Sequence, residues 1–357
     1  MKKIFKIAKL ELSVLFYSPV AWLVFAIFMV QSSITFLDNV RNYFGGQEMG
    51  YDTGPATLRI FAGNSGLFSS IPAYLYLYIP ILTMGLMSRE TSSGSIKLLL
   101  SSPVKLRQII LGKFLAIISY GFMLLVLLMI LSGIGVVIIE KVDIGIIISG
   151  LLGLFLLICT YSAIGLYMSC LTNYQVVAAI STLTIFAILR YVGNLWQHID
   201  FVRDLTYFLS LSGRTNKMTA GLITTKDVCY YLIIIVTFLA LCMLRLRSQR
   251  ELKPWPVKAG RYVLLICGAL LLGYFTSRPR FVGYLDTTAD KIHTILPKNQ
   301  ELARQFKDKL TVTTYSNLLA PNVWMTLPAA RNGDIDRLEN YQRFIPNMEF
   351  RYVYYYH

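Results

Sequence analysis

Three histidines, five cysteines and no phosphate-binding loop leave little conventional chemistry in this sequence. His198, His293 and His357 lie far apart, without the spacing of a metal site. Cys159, Cys170, Cys229, Cys242 and Cys267 all fall inside apolar runs, where a thiol reads as a small packing residue. No GxxxxGK[ST] loop occurs, so no nucleotide cradle is expected. Gly45, Gly46, Gly50 and Gly54 cluster but follow no strand and read as a flexible loop. The apolar runs carry neither paired carboxylates nor grouped histidines, so acid–base chemistry at membrane depth lacks its residues.

One stretch has a pattern that asks for a partner. Between two apolar runs stands MSRETSSGSIKLLLSSPVKLRQIILGKFLA, residues 87–116. The spacing predicts a helix of about ten residues over Thr91–Leu100, with Ile96, Leu99 and Leu100 as an apolar stripe at i, i+3 and i+4. Glu90 stands before it, Lys97 falls on its polar side, and Ser101, Ser102 and Pro103 end it. A short amphipathic helix of this kind can lie in the groove of a soluble partner, or can rest at a lipid surface with its charged face in water.

The elements that hold this stretch are set by hydrophobicity. The chain has 357 residues, 55% of them hydrophobic, and a mean hydropathy of +0.56. A soluble domain is usually about 45–50% apolar. Here the excess is gathered into runs long enough for the roughly 20 residues that cross a bilayer core. Lys2, Lys3, Lys6 and Lys9 alternate with apolar residues over 2–17, as in an interfacial helix. The basic start lacks a small-residue cleavage site and reads as a retained anchor. Spans are expected over 20–37, 71–88, the charge-free 114–139, 144–170, 176–192, 228–244 and 262–277. Pro80 should kink the second. The third should tilt or break near Gly133 and Gly135. Gly150, Gly153 and Gly165 in the fourth either permit close helix packing or are ordinary membrane glycines. The last, 16 residues between Arg261 and Arg278, spans if those arginines snorkel. Residues 38–70 and 194–227 read as loops, the first as a plain loop or one holding a short helix, the second with a re-entrant or interfacial sub-run at 200–213.

The formal charge is +15. Its basic residues sit beside the apolar runs without interleaved aromatics, which argues against nucleic acid and for anionic lipid. With the N-terminus in the cytoplasm, fifteen Lys and Arg fall inside and seven outside. The charge rule therefore places the N-terminus in the cytoplasm and the C-terminal tail outside it.

The tail, roughly 279–357, holds ten basic and eight acidic residues and no spanning run. LPKNQELARQFKDK and GDIDRLENYQRFI read as helices, LTVTTYS and MEFRYVYYYH as strands. The expectation is a partial αβαβ domain outside the membrane, with little apolar area to bury.

Glu90, Gly94-Ser95-Ile96, Leu98-Leu99, Ser101-Ser102-Pro103-Val104 and Leu111-Gly112-Lys113 together resemble the coupling-helix signature of ABC-2-type permeases. The stretch also closely resembles the permease of gliding-motility-associated ABC systems, over about residues 1–250. The resemblance implies an all-α polytopic membrane protein: a six-helix permease bundle (1–250), a linker (251–261), a seventh anchor helix (262–277) and an incomplete extracytoplasmic α/β domain (278–357). It implies that Glu90, Gly94, Ile96, Lys97, Leu99, Leu100 and Pro103 form the contact with a cytoplasmic ATPase. Lys97 stands where the family often has Glu. ATP and Mg2+ would belong to that ATPase, with no cofactor on this chain and no catalysis of its own. A second permease chain and outer-envelope components are further implied partners, in a cell inner membrane, with export as the direction. An ATPase-driven mechanical role without translocated substrate is the alternative. Asp286-Thr287-Thr288, Lys291–Ile295, LTVTTYS and LENYQRFIPNMEFRYV are similar to the auxiliary substrate-binding-like component of the same systems, as if fused here.

Overall fold

The computed structural model describes residues 2–63, 65–101, 104–192, 210, 212–251, 254–278, 281–305, 308–321, 323, 327, 331–345 and 347–356. Two compact units are present, 1–186 with 215–285, and 187–214 with 286–357.

The first unit is a helical bundle. α1 (Lys2–Tyr17) leads through Ser18, whose hydroxyl accepts from the Val20 N–H, into α2 (Pro19–Glu48). Pro19 sits at the first helical position, where its missing N–H costs nothing. α3 (Leu67–Thr83) and α4 (Gly85–Ser92) are nearly continuous. After α5 (Ile96–Ser101) come α6 (Leu106–Ile138), α7 (Ile144–Leu171), α8 (Gln175–Tyr191) and α9 (Ser212–Thr219). The short strand β1 (Leu222–Thr224) leads into α10 (Thr225–Arg250) and α11 (Trp255–Thr276). Among the described residues, six helical stretches are long and apolar enough to cross a membrane; α8, with 17 residues, falls just short of that length.

Polarity is arranged for an apolar solvent. Trp22, Leu23, Val30 and Ile34 of α2 and Val176 and Ile180 of α8 point outward. Ser32, Ser132, Thr160 and Thr182 are buried. Each of these hydroxyls bonds a carbonyl four residues back in its own helix, so none enters the interior unsatisfied.

α7 is the axis of the packing: α3, α4, α6 and α10 all lie against it. Its glycines bring α3 and Met218 of α9 close to it. A Cβ at Gly165 would sit 2.2 Å from Thr83 Oγ1, at Gly150 2.5 Å from Phe68, and at Gly153 2.8 Å from Met218. All three mark close approaches, the first of the two readings open from sequence.

Several sequence boundaries are corrected. Residues 38–70 are not one loop: α2 runs on to Glu48, and Leu58–Ala62 forms a π-helical turn. α6 does not break at Gly133 or Gly135. Gly133 faces open space, and a Cβ at Gly135 would meet the Phe61 ring at 2.5 Å, so Gly135 serves packing rather than a hinge. The linker expected over 251–261 is mostly helix, because Pro254 caps α11 and Pro256 fits its first turn. α11 therefore has 22 residues, with Lys258 and Arg261 inside its first two turns. The sub-run at 200–213 lies almost wholly outside the described residues.

In the second unit, α12 (Pro297–Gln305), β3 (Leu310–Asn317), α13 (Arg331–Gln342) and β4 (Met348–Tyr355) follow β2 (Tyr284–Asp286). β3 and β4 pair in parallel from Leu310 opposite Met348 to Asn317 opposite Tyr355, with α13 between them in the chain. Ala303, Ile345 and Met348 form a small core with Leu310, Val312 and Phe350. Burial pushes the Asp286 carboxyl up, but bonds from Thr288, Thr294 and the His293 N–H outweigh it and hold it below the ordinary carboxylate range.

Candidate coupling site

The segment between α3 and α6 is two short helices, not one. The helix expected over Thr91–Leu100 is interrupted at Ser93–Ser95. Gly94 takes φ +74°, a left-handed conformation that glycine adopts without a Cβ penalty. The serines compete for backbone groups as well: Ser92 Oγ donates to Arg89 O, and the Ser93 and Ser95 hydroxyls both donate to Glu90 O. The Lys97 N–H then bonds Gly94 O and starts α5.

Each expected residue has a definite place. Glu90 lies in the last turn of α4 and Gly94 at the break. Ile96 opens α5 and is buried within this chain. Lys97 and Leu98 are exposed, Leu98 at 75%. Leu99 and Leu100 belong to α5 by backbone, while their side chains, like Pro103, lie outside the described residues.

Glu90 is tied inward. Lys113 of α6, 1% exposed, donates from Nζ to Glu90 Oε1 at 2.7 Å, to Glu11 Oε1 at 2.6 Å and to Leu86 O at 2.7 Å. One ammonium thus uses its three donors on α1 and, twice, on α4. The side chain of Glu11 is 7% exposed and that of Glu90 21%. Glu90 Oε2 is buried and has no hydrogen-bond partner among the described residues. Burial of ions is costly unless they are paired and fully bonded, so this contact fixes geometry more than it adds stability.

Local sequence builds the contact. α1 lies along α6 because residue 112 is glycine: a Cβ there would sit 2.7 Å from Ile7 and 3.2 Å from Ile4 O. Tyr120 Oη donates to Ala21 O at 2.7 Å and holds the start of α2 to α6.

The break between α3 and α4 is held by α7. Pro80 cannot donate, yet the helix runs through it and is interrupted one turn later, at Met84. Ser169 Oγ donates to Met84 O at 2.8 Å and accepts from the N–H groups of Met87 and Ser88, both at 3.0 Å. One hydroxyl thereby serves the helix end that the break leaves open.

Glu11 and Ser169 are absent from the residues expected from sequence, and Lys113 stands there only as the end of the resembling motif, with no role given to it. Glu11 is the one acid within α1. Lys113 is the last charge before 26 charge-free residues. Ser169 carries no signal of its own. The result is a small helical segment, exposed at Lys97 and Leu98 and locked at its base to α1, α6 and α7.

The family model described as ABC-2 family transporter protein matches residues 5–250. Comparison with curated proteins gives no match.

Proposed function

The chain belongs to the ABC-2 family of transporter proteins, and from that premise we propose that it is the membrane permease that a separate cytoplasmic ATPase drives through the α4–α5 segment. The observation that carries the reading is the Lys113 contact, which binds the base of that segment to α1 and α6. In this reading the ATPase holds α5 by Lys97, Leu98, Leu99 and Leu100, with Pro103 ending the contact. Gly94 lets α5 turn against α4, and Ile96 seats α5 on its own chain. Glu90 works from within, as the link to Lys113, rather than as a free charge offered to the ATPase.

The ATPase supplies ATP and Mg2+ chemistry, and this chain transmits its closing motion. Two permease chains build the pathway, in an inner membrane, with N-termini in the cytoplasm and export as the direction. The likeness to gliding-motility systems supports envelope components as further partners, with the tail as a fused auxiliary domain.

Lys97→Glu with Leu98→Ala tests the contact. Loss of one well-packed leucine costs about 2 kcal/mol, roughly 30-fold in affinity. The variant should reach the membrane at normal abundance and lose most of the ATPase that co-purifies with the native chain. ATP turnover in proteoliposomes should fall in parallel. An unchanged ATPase-to-permease ratio with unchanged turnover would refute the contact.

A further inference from the structure

α10 and α11 pack together, yet they diverge around a cavity of about 1110 Å³ that opens along their length. Its long wall is apolar: Val236 and Ala240 of α10 face Leu264, Gly268 and Leu272 of α11. Val236, Leu264 and Leu272 are each more than half exposed. A Cβ at Gly268 would meet nothing within 4 Å, so the wall is open there rather than filled.

One end of this cavity differs from the rest. Lys105 and Arg107 from the start of α6, Arg247 and Arg250 from the end of α10, and Arg261 of α11 all line it. Among the described residues, no acidic one is in the lining. Glu251 reaches this rim, taking Arg247 and, at 2.9 Å, Arg261. Those two arginines draw its carboxyl down to about 2, so it stays charged and still leaves a large positive excess. Lys105 and Arg107 are exposed and form no ion pair among the described residues.

We propose that this cavity holds an anionic glycerophospholipid of the bilayer, its phosphate on the basic rim and its acyl chains along the α10–α11 wall. Charge and shape both select this occupant. A soluble anion would use the rim and leave the apolar wall bare. A helix from a second copy would bring its own Lys and Arg to the same depth, because the basic clusters of this chain flank its helices on that side. A phospholipid supplies both parts at the right separation, and in the proposed orientation the rim faces the leaflet that carries anionic lipid.

The full chain, purified in a neutral maltoside detergent, is titrated with palmitoyl-oleoyl phosphatidylglycerol or with phosphatidylcholine of the same chains. Bound lipid is read by native mass spectrometry. The phosphatidylglycerol adduct should form about tenfold more tightly or better. Lys105→Gln with Arg107→Gln should reduce it to the phosphatidylcholine level. Gly268→Leu, which fills open space in a helix and should leave thermal unfolding unchanged, should remove retention of both lipids. Excess inorganic phosphate should displace neither. Equal retention of the two lipids, indifference to both variants, or displacement by phosphate would overturn the proposal.

Discussion

At the scale of the residue, Lys113 decides most. It lies 102 residues from Glu11 and 23 from Glu90, and its burial is tolerable only because all three of its donors are used. Breaking a buried ion pair by removing one partner typically costs about 3–5 kcal/mol, because the other charge is left uncompensated. Lys113→Met should therefore lower the unfolding temperature in detergent strongly, with two carboxylates stranded. Adding Glu11→Leu and Glu90→Gln should recover most of that loss, since no ion then stays buried. Failure of the triple variant to recover would mean that Lys113 acts by packing rather than by charge. Glu90 and Lys113 both stand in the motif that the sequence brings forward, yet their pairing is invisible there. It depends on α1 settling on Gly112, a contact between segments that no local pattern specifies.

At the scale of the element, Ser169 and Gly94 act at the two ends of α4. Ser169→Ala would take from the buried Met87 and Ser88 N–H groups the hydroxyl that accepts from both, at a cost of about 1–3 kcal/mol. The expected outcome is a lower unfolding temperature together with faster hydrogen exchange confined to α4. Uniform exchange across the bundle would contradict a local role. Helix existence was legible from the apolar runs, while helix ends were not. α10 continues to Arg250 through arginines, Leu246 and Gln249 that favour a helix, whereas α2 continues to Glu48 through asparagines and glycines that do not. The single helix expected over Thr91–Leu100 failed for the opposite reason. Apolar periodicity was present, but Gly94 and three serine hydroxyls supplied a better local arrangement than a continuous helix.

At the scale of the whole molecule, the inverted distribution of polarity and the family match over 5–250 describe a transporter membrane subunit. The charge asymmetry adds the proposed orientation. Single cysteines at Ser93 and at Asp290, in a cysteine-free variant probed in spheroplasts with an impermeant thiol reagent, should label only at Asp290. Labelling at Ser93 alone would reverse the orientation. The α4–α5 segment remains the centre of the account, because it is where ATPase motion would enter the bundle. The direct measurement is a photo-cross-linking residue placed at Leu98, activated in native membranes. The account predicts a covalent adduct with a P-loop ATPase, reduced by Lys97→Glu and absent when the same residue is placed at the lipid-facing Ile180. An adduct with lipid alone from Leu98, while the ATPase still co-purifies with the chain, would contradict it.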